Sequence, residues 1–180
     1  MKYLFFFFSS LLLIYMLWPG PSRIDQFSPL PNSLKSKLEG DTIQIPNVSA
    51  YFSDNFREFV VPFYLKNYWN LTKLPFPPLR LNYAPEFSWI AIKKHTDSTY
   101  LEELVYPLRS SLYVNGLEPF YSDSRPKFWG ATKFEVEGKS HLTKTTLRFY
   151  PSSLGVRFLV WAGIILSINL LYKMMRKIIF

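Results

Sequence analysis

Residues 154–172, LGVRFLVWAGIILSINLLY, carry a single charge, Arg157, in nineteen positions. At about 1.5 Å rise per residue, a helix of that length reaches across the roughly 30 Å hydrocarbon core of a bilayer. The stretch is therefore expected to be a transmembrane helix over 153–173, and the rest of the chain has to fold beside a membrane. Lys173, Arg176 and Lys177 follow it closely. Basic residues next to the end of a span are retained on the cytoplasmic side, so 174–180 reads as a basic cytoplasmic tail.

The other end repeats the pattern in shorter form. After Lys2, residues 3–18, YLFFFFSSLLLIYMLW, are uncharged and stop against Pro19, Gly20 and Pro21. A basic residue followed by an apolar run is the form of a signal sequence, but no small-x-small cleavage pattern follows this one. Residues 1–21 are accordingly expected to be an uncleaved signal anchor and a first span. Two spans place both termini on the cytoplasmic side and the intervening domain outside it. The expected location is integral to the plasma membrane.

Charge narrows the partners. The chain carries +8 overall, but Lys2, Arg157, Lys173, Arg176 and Lys177 belong to the two apolar ends. The middle holds 16 basic against 13 acidic residues, a net of +3. That is a mildly basic surface without the concentrated positive field a nucleic-acid binder needs. With no cysteine there is no disulfide framework, thiolate nucleophile or cysteine zinc site.

Between the spans the composition changes twice. Residues 22–49 are rich in Pro, Ser, Asn and Lys and read as a linker holding one short strand, DTIQI, at 41–45. Residues 50–152 read as a small domain. Phe52, Phe56, Phe59, Val60 and Phe63 fall on one helical face over 52–67, with Ser53 or Asp54 as a cap and Pro62 as a kink or end. Leu79, Leu81 and Tyr83 alternate as a half-buried strand, and EFSWIAIKK at 86–94 reads as the central strand. Thr99 and Glu102 have capping-box spacing ahead of Leu101, Leu104, Val105, Leu108 and Leu112, which predicts a helix bent at Pro107. A hairpin is expected from 132–137 and 142–150 around Gly138-Lys139-Ser140. The fold expected is thus α+β, with two transmembrane helices flanking a small mixed domain of about four strands.

His95, Asp97, Glu102 and Glu103 are the densest ionisable group, at a strand-to-helix junction where sites are often built. His95, Asp97 and Glu103 are the candidate catalytic residues of a membrane-tethered enzyme, although their spacing does not force three ligands onto a metal. No phosphate loop, HExxH or GxSxG motif occurs, and neither cofactor nor metal is expected. Arg80, Lys93, Lys94 and Arg109 outline a possible anionic-lipid or envelope-polymer patch. In the last span Gly163, Ser167 and Asn169 form a small or polar face suited to close helix packing, against Ser9 and Ser10 of the first span or against a second copy. Together these features favour a membrane scaffold or accessory protein whose outer domain binds another membrane or envelope protein.

Overall fold

The structure, a computed structural model, describes residues 2–38, 41, 45–93 and 97–179. The chain divides into two compact units, Gly20–Pro151 and a helical unit made of Met1–Pro19 with Ser152–Phe180. The fold class is α+β.

In the helical unit, α1 (Lys2–Leu17) packs against α3 (Leu154–Ile179). Within α3, Leu154–Lys177 is long and apolar enough to cross a membrane, while the apolar part of α1, Tyr3–Leu17, is shorter. The charge that interrupts the apolar run has a place. Arg157 is buried, and its Nη1 donates to the carbonyl of Met16 (3.3 Å) while its Nε donates to Ser152 Oγ (3.2 Å). The last carbonyls of a helix lack partners within it and sit at the negative end of its dipole, so a guanidinium there satisfies both deficits. One turn further along, Trp161 Nε1 donates to Ser9 O (3.0 Å).

In the unit Gly20–Pro151, six strands form one antiparallel sheet in the order β1-β2-β8-β5-β4-β3. They are β1 (Leu34–Lys35), β2 (Val48–Ser53), β3 (Leu79–Tyr83), β4 (Tyr100–Tyr106), β5 (Ser110–Leu117) and β8 (Thr143–Tyr150). A separate ribbon pairs β6 (Phe134–Val136) with β7 (Lys139–His141). The helix α2 (Arg57–Thr72) connects β2 to β3 at the far edge and lies on one face of the sheet. Its core stripe is Val61, Tyr64, Tyr68 and Thr72, all buried. Tyr68 meets the rings of Phe27, Tyr106 and Phe149, and its hydroxyl reaches the carbonyl of Ser110 (2.9 Å). Such a ring buries 150–250 Å² and fixes its polar tip as well, so this cluster anchors helix to sheet.

Several sequence expectations are corrected here. The stretch predicted as a helix from Thr99 is the hairpin β4–β5, turning at Pro107, Leu108 and Arg109. Leu101, Leu104 and Leu112 do recur at helical intervals. However, along β4 Tyr100, Glu102, Leu104 and Tyr106 alternate with Leu101, Glu103 and Val105, and a strand buried on both faces shows no clean period of two. Of the central strand expected over 86–94, residue 94 lies outside the described residues, and the rest begins with a 3-10 turn, Pro85–Ile90, and forms no strand. The residues of 22–49 are more than a linker, because Ile24, Phe27 and Leu30 are buried within the domain. Of the strand expected at 41–45, residues 42–44 lie outside the described residues. The first helix begins later than its phenylalanines suggested and continues past Pro62; Phe59 is exposed and the tyrosines face the sheet. The hairpin partner of β6 is β7, which frees β8 to insert between β2 and β5. About four strands were expected, and the described residues form eight.

Candidate binding site

Alternation along the strands divides the sheet into a helix face, covered by α2, and a far face. On the helix face Glu102 is fully buried and holds two guanidinia. Arg57, at the start of α2, pairs with Glu102 Oε1; Arg80 of β3 donates to Oε2 and Oε1 (both 2.8 Å). Arg57 also donates to Asn82 Oδ1 (3.0 Å) and stacks over Tyr100. Burial alone would raise the carboxyl pKa of Glu102, but the Arg80 and Arg57 guanidinia hold it below the usual carboxylate range. Glu102 therefore ties the start of α2 to the edge of the sheet, and the capping role expected of it is not the one it has.

The far face is covered at two places. The turn Pro85–Ile90 lies against β4 and is tied to β8 by Tyr150, whose hydroxyl donates to Ile90 O (2.6 Å). At β2, Phe134 of the ribbon packs on Phe52 (ring centroids 5.5 Å apart). Beside the turn lies an open depression of about 460 Å³, lined by Trp89, Ile90, Ser111, Tyr113, Arg148 and Tyr150. A smaller one, about 210 Å³, continues from Arg148 toward Lys144, Lys93 and Asp97.

The register explains how these side chains come together. Leu81, Glu103, Tyr113, Arg148 and Val48 are successive cross-strand partners, one from each of β3, β4, β5, β8 and β2. In the next row Val105, Ser111 and Tyr150 are aligned in the same way. Strands sit about 4.8 Å apart, so Glu103 and Arg148 stand roughly 10 Å apart with the Tyr113 ring between them. Glu103 is buried and accepts from Tyr83 Oη (2.7 Å) and Ser111 Oγ (2.5 Å). Burial, with the Glu103 charge second, raises the pKa of Tyr113; the hydrogen bond to Glu103 raises that of Tyr83. Both phenols stay protonated across the ordinary range. The rings of Tyr83, Tyr113 and Tyr150 run in sequence (6.4 and 5.5 Å between centroids), and the Arg148 guanidinium lies 5.1 Å from the Tyr150 centroid. No carboxylate pairs with Arg148 among the described residues.

Of the sequence candidates, His95 lies outside the described residues. Asp97 lines the smaller depression and its backbone carbonyl accepts from Asn115 Nδ2 (3.2 Å), whereas Glu103 sits behind Ser111 of the larger one. No group of three or more potential metal ligands occurs among the described residues. The expected basic patch is not assembled: Arg80 pairs with Glu102 on the helix face, Arg109 is buried at the β4–β5 turn, and Lys94 lies outside the described residues. In α3, Gly163 has open space where a side chain would stand, and Asn169 Nδ2 donates to its own helix at Ile165 O (3.2 Å). Ser9 meets α3 through its carbonyl and Trp161. Sequence reasoning missed Arg148, Tyr113 and Tyr150. The signal for two of them was present in the second set of alternating residues on β8, Lys144, Thr146, Arg148 and Tyr150. Tyr113 was hidden because β5 reads as part of a helix. No protein-family model, curated protein or solved structure matches this chain.

Proposed function

We propose that the protein is a membrane-anchored accessory protein whose sheet domain binds another membrane or envelope protein through its far face. The observation that carries this reading is the aromatic depression beside the Pro85–Ile90 turn, lined by Arg148, for which no carboxylate partner occurs among the described residues. An exposed Trp89 at the rim, tyrosine walls and a lone guanidinium are the residue types that dominate protein interfaces. Of the catalytic candidates, Asp97 lines the smaller depression while Glu103 is buried behind Ser111 and lines neither, an arrangement that supports binding more than chemistry.

The anchoring we propose uses two spans, with α1 as the shorter one, both termini cytoplasmic and the domain Gly20–Pro151 outside. Lys173, Arg176 and Lys177 support that orientation. The packing of α1 on α3, with Arg157 bonded to the Met16 carbonyl, supports a helical hairpin. Purification of the full chain from mild detergent tests the binding reading. A copurifying membrane protein retained by wild type and lost from Arg148→Glu, but not from a helix-face control such as Glu58→Gln, is the expected result. Equal recovery with both variants would refute it.

A further inference from the structure

The hydrogen-bond polarity of the depression narrows what it receives. Arg148 only donates. The Ser111 hydroxyl hydrogen goes to Glu103 and the Tyr150 hydroxyl hydrogen goes to Ile90 O, so both oxygens offer only lone pairs to a visitor. Around these stand Trp89, Ile90 and Tyr113, apolar and aromatic surface bordering the open depression. A ligand matching this pattern presents an anion to Arg148, a donor toward Ser111 and a ring to the tyrosines.

We propose that the far face recognises a peptide segment that places a carboxylate beside an aromatic side chain, with Arg148 holding the carboxylate and Ser111 accepting a backbone N–H. This rests on the reading that the far face is a binding surface, and it specifies the chemistry of the partner. The depression is open to solvent, whereas small-molecule sites usually enclose most of their ligand, so a residue attached to a longer chain fits better than a free metabolite. A guanidinium binds a carboxylate through paired hydrogen bonds, and its position beside the Tyr150 ring limits the freedom lost on binding.

The test uses the full chain in detergent micelles and fluorine NMR of N-acetyl-4-fluorophenylalanine, its primary amide, and N-acetyl-aspartyl-4-fluorophenylalaninamide. The free acid mimics a chain terminus and the aspartyl compound an internal acidic residue. At least one carboxylate is expected to bind tenfold or more tightly than the neutral amide. That preference should disappear in Arg148→Gln, shrink in Arg148→Lys, and come with several-fold weaker binding in Ser111→Ala. Equal binding of acid and amide, or a preference that survives in Arg148→Gln, would overturn the proposal; uptake shared by all three compounds is micelle partition and counts against it. Should Arg148→Gln fail to fold, the wild-type comparison and Arg148→Lys still decide. Carboxylate preference without Arg148-dependent copurification would leave this inference standing and remove the accessory-protein reading. The opposite pair of results would do the reverse.

Discussion

Glu102 shows at the scale of one residue how the domain accommodates charge. Its carboxylate is fully buried, but Arg57 and Arg80 are only partly so, and their free donors face water. Replacing Glu102 by Gln leaves two guanidinia that can rehydrate, so the cost should be about 2 kcal/mol, below that of breaking a wholly buried pair. The sign of the pH dependence follows from the lowered pKa. A carboxylate whose folded pKa is depressed contributes stability above its unfolded value, near 4.5, and loses it as pH falls through the folded value. Thermal melts from pH 7 down to pH 3 should show wild type losing stability faster than Glu102→Gln; parallel curves would contradict the assignment. Gly116 makes a second residue-scale demand. Opposite it on β4 is Tyr100, and a Cβ at position 116 would fall 2.0 Å from that ring. Gly116→Ala should therefore cost roughly 2 kcal/mol by overpacking. In a Tyr100→Ala background the same change should cost much less, which a double-mutant cycle on melting temperatures would read.

At the scale of elements, legibility followed the number of covered faces. The two apolar helices were readable from hydropathy alone, whereas α2 was read only in part, because the phenylalanine stripe over 52–67 is not the face that packs on the sheet. The β4–β5 hairpin was not, because residues on both faces of β4 are buried and Glu102 and Glu103 owe their burial to partners distant in sequence. Nothing local announces that a glutamate will meet an arginine from another strand. The 86–94 segment failed for the opposite reason. Its aromatic and β-branched residues suit a strand, but Pro85 opens a 3-10 turn that supplies the rim of the depression. In the helical unit, Arg157 shows that a charge inside an apolar run can be a tether. Arg157→Leu should weaken the α1–α3 pairing by about 1 kcal/mol. Because the chain has no cysteine, a panel of cysteine pairs introduced along α1 and α3 can report this directly. Disulfide trapping several-fold slower in the Arg157→Leu background is expected, and unchanged trapping would remove that role.

For the molecule as a whole, the apolar ends and the class of the domain were legible, whereas the candidate site was not. The site is a property of register: Glu103, Tyr113 and Arg148 share a row only because β8 enters between β2 and β5. That insertion is non-local, and no spacing in the chain encodes it. This row, and not the helix-covered face, is the surface proposed to meet a partner. Site-specific photocrosslinking in native membranes tests it most directly, with benzoylphenylalanine placed at Trp89 on the rim or at Phe59 on α2, both exposed positions. A discrete adduct from position 89, abolished by Arg148→Glu and absent from position 59, is the result predicted. No adduct from position 89, or equal adducts from both positions, would contradict it.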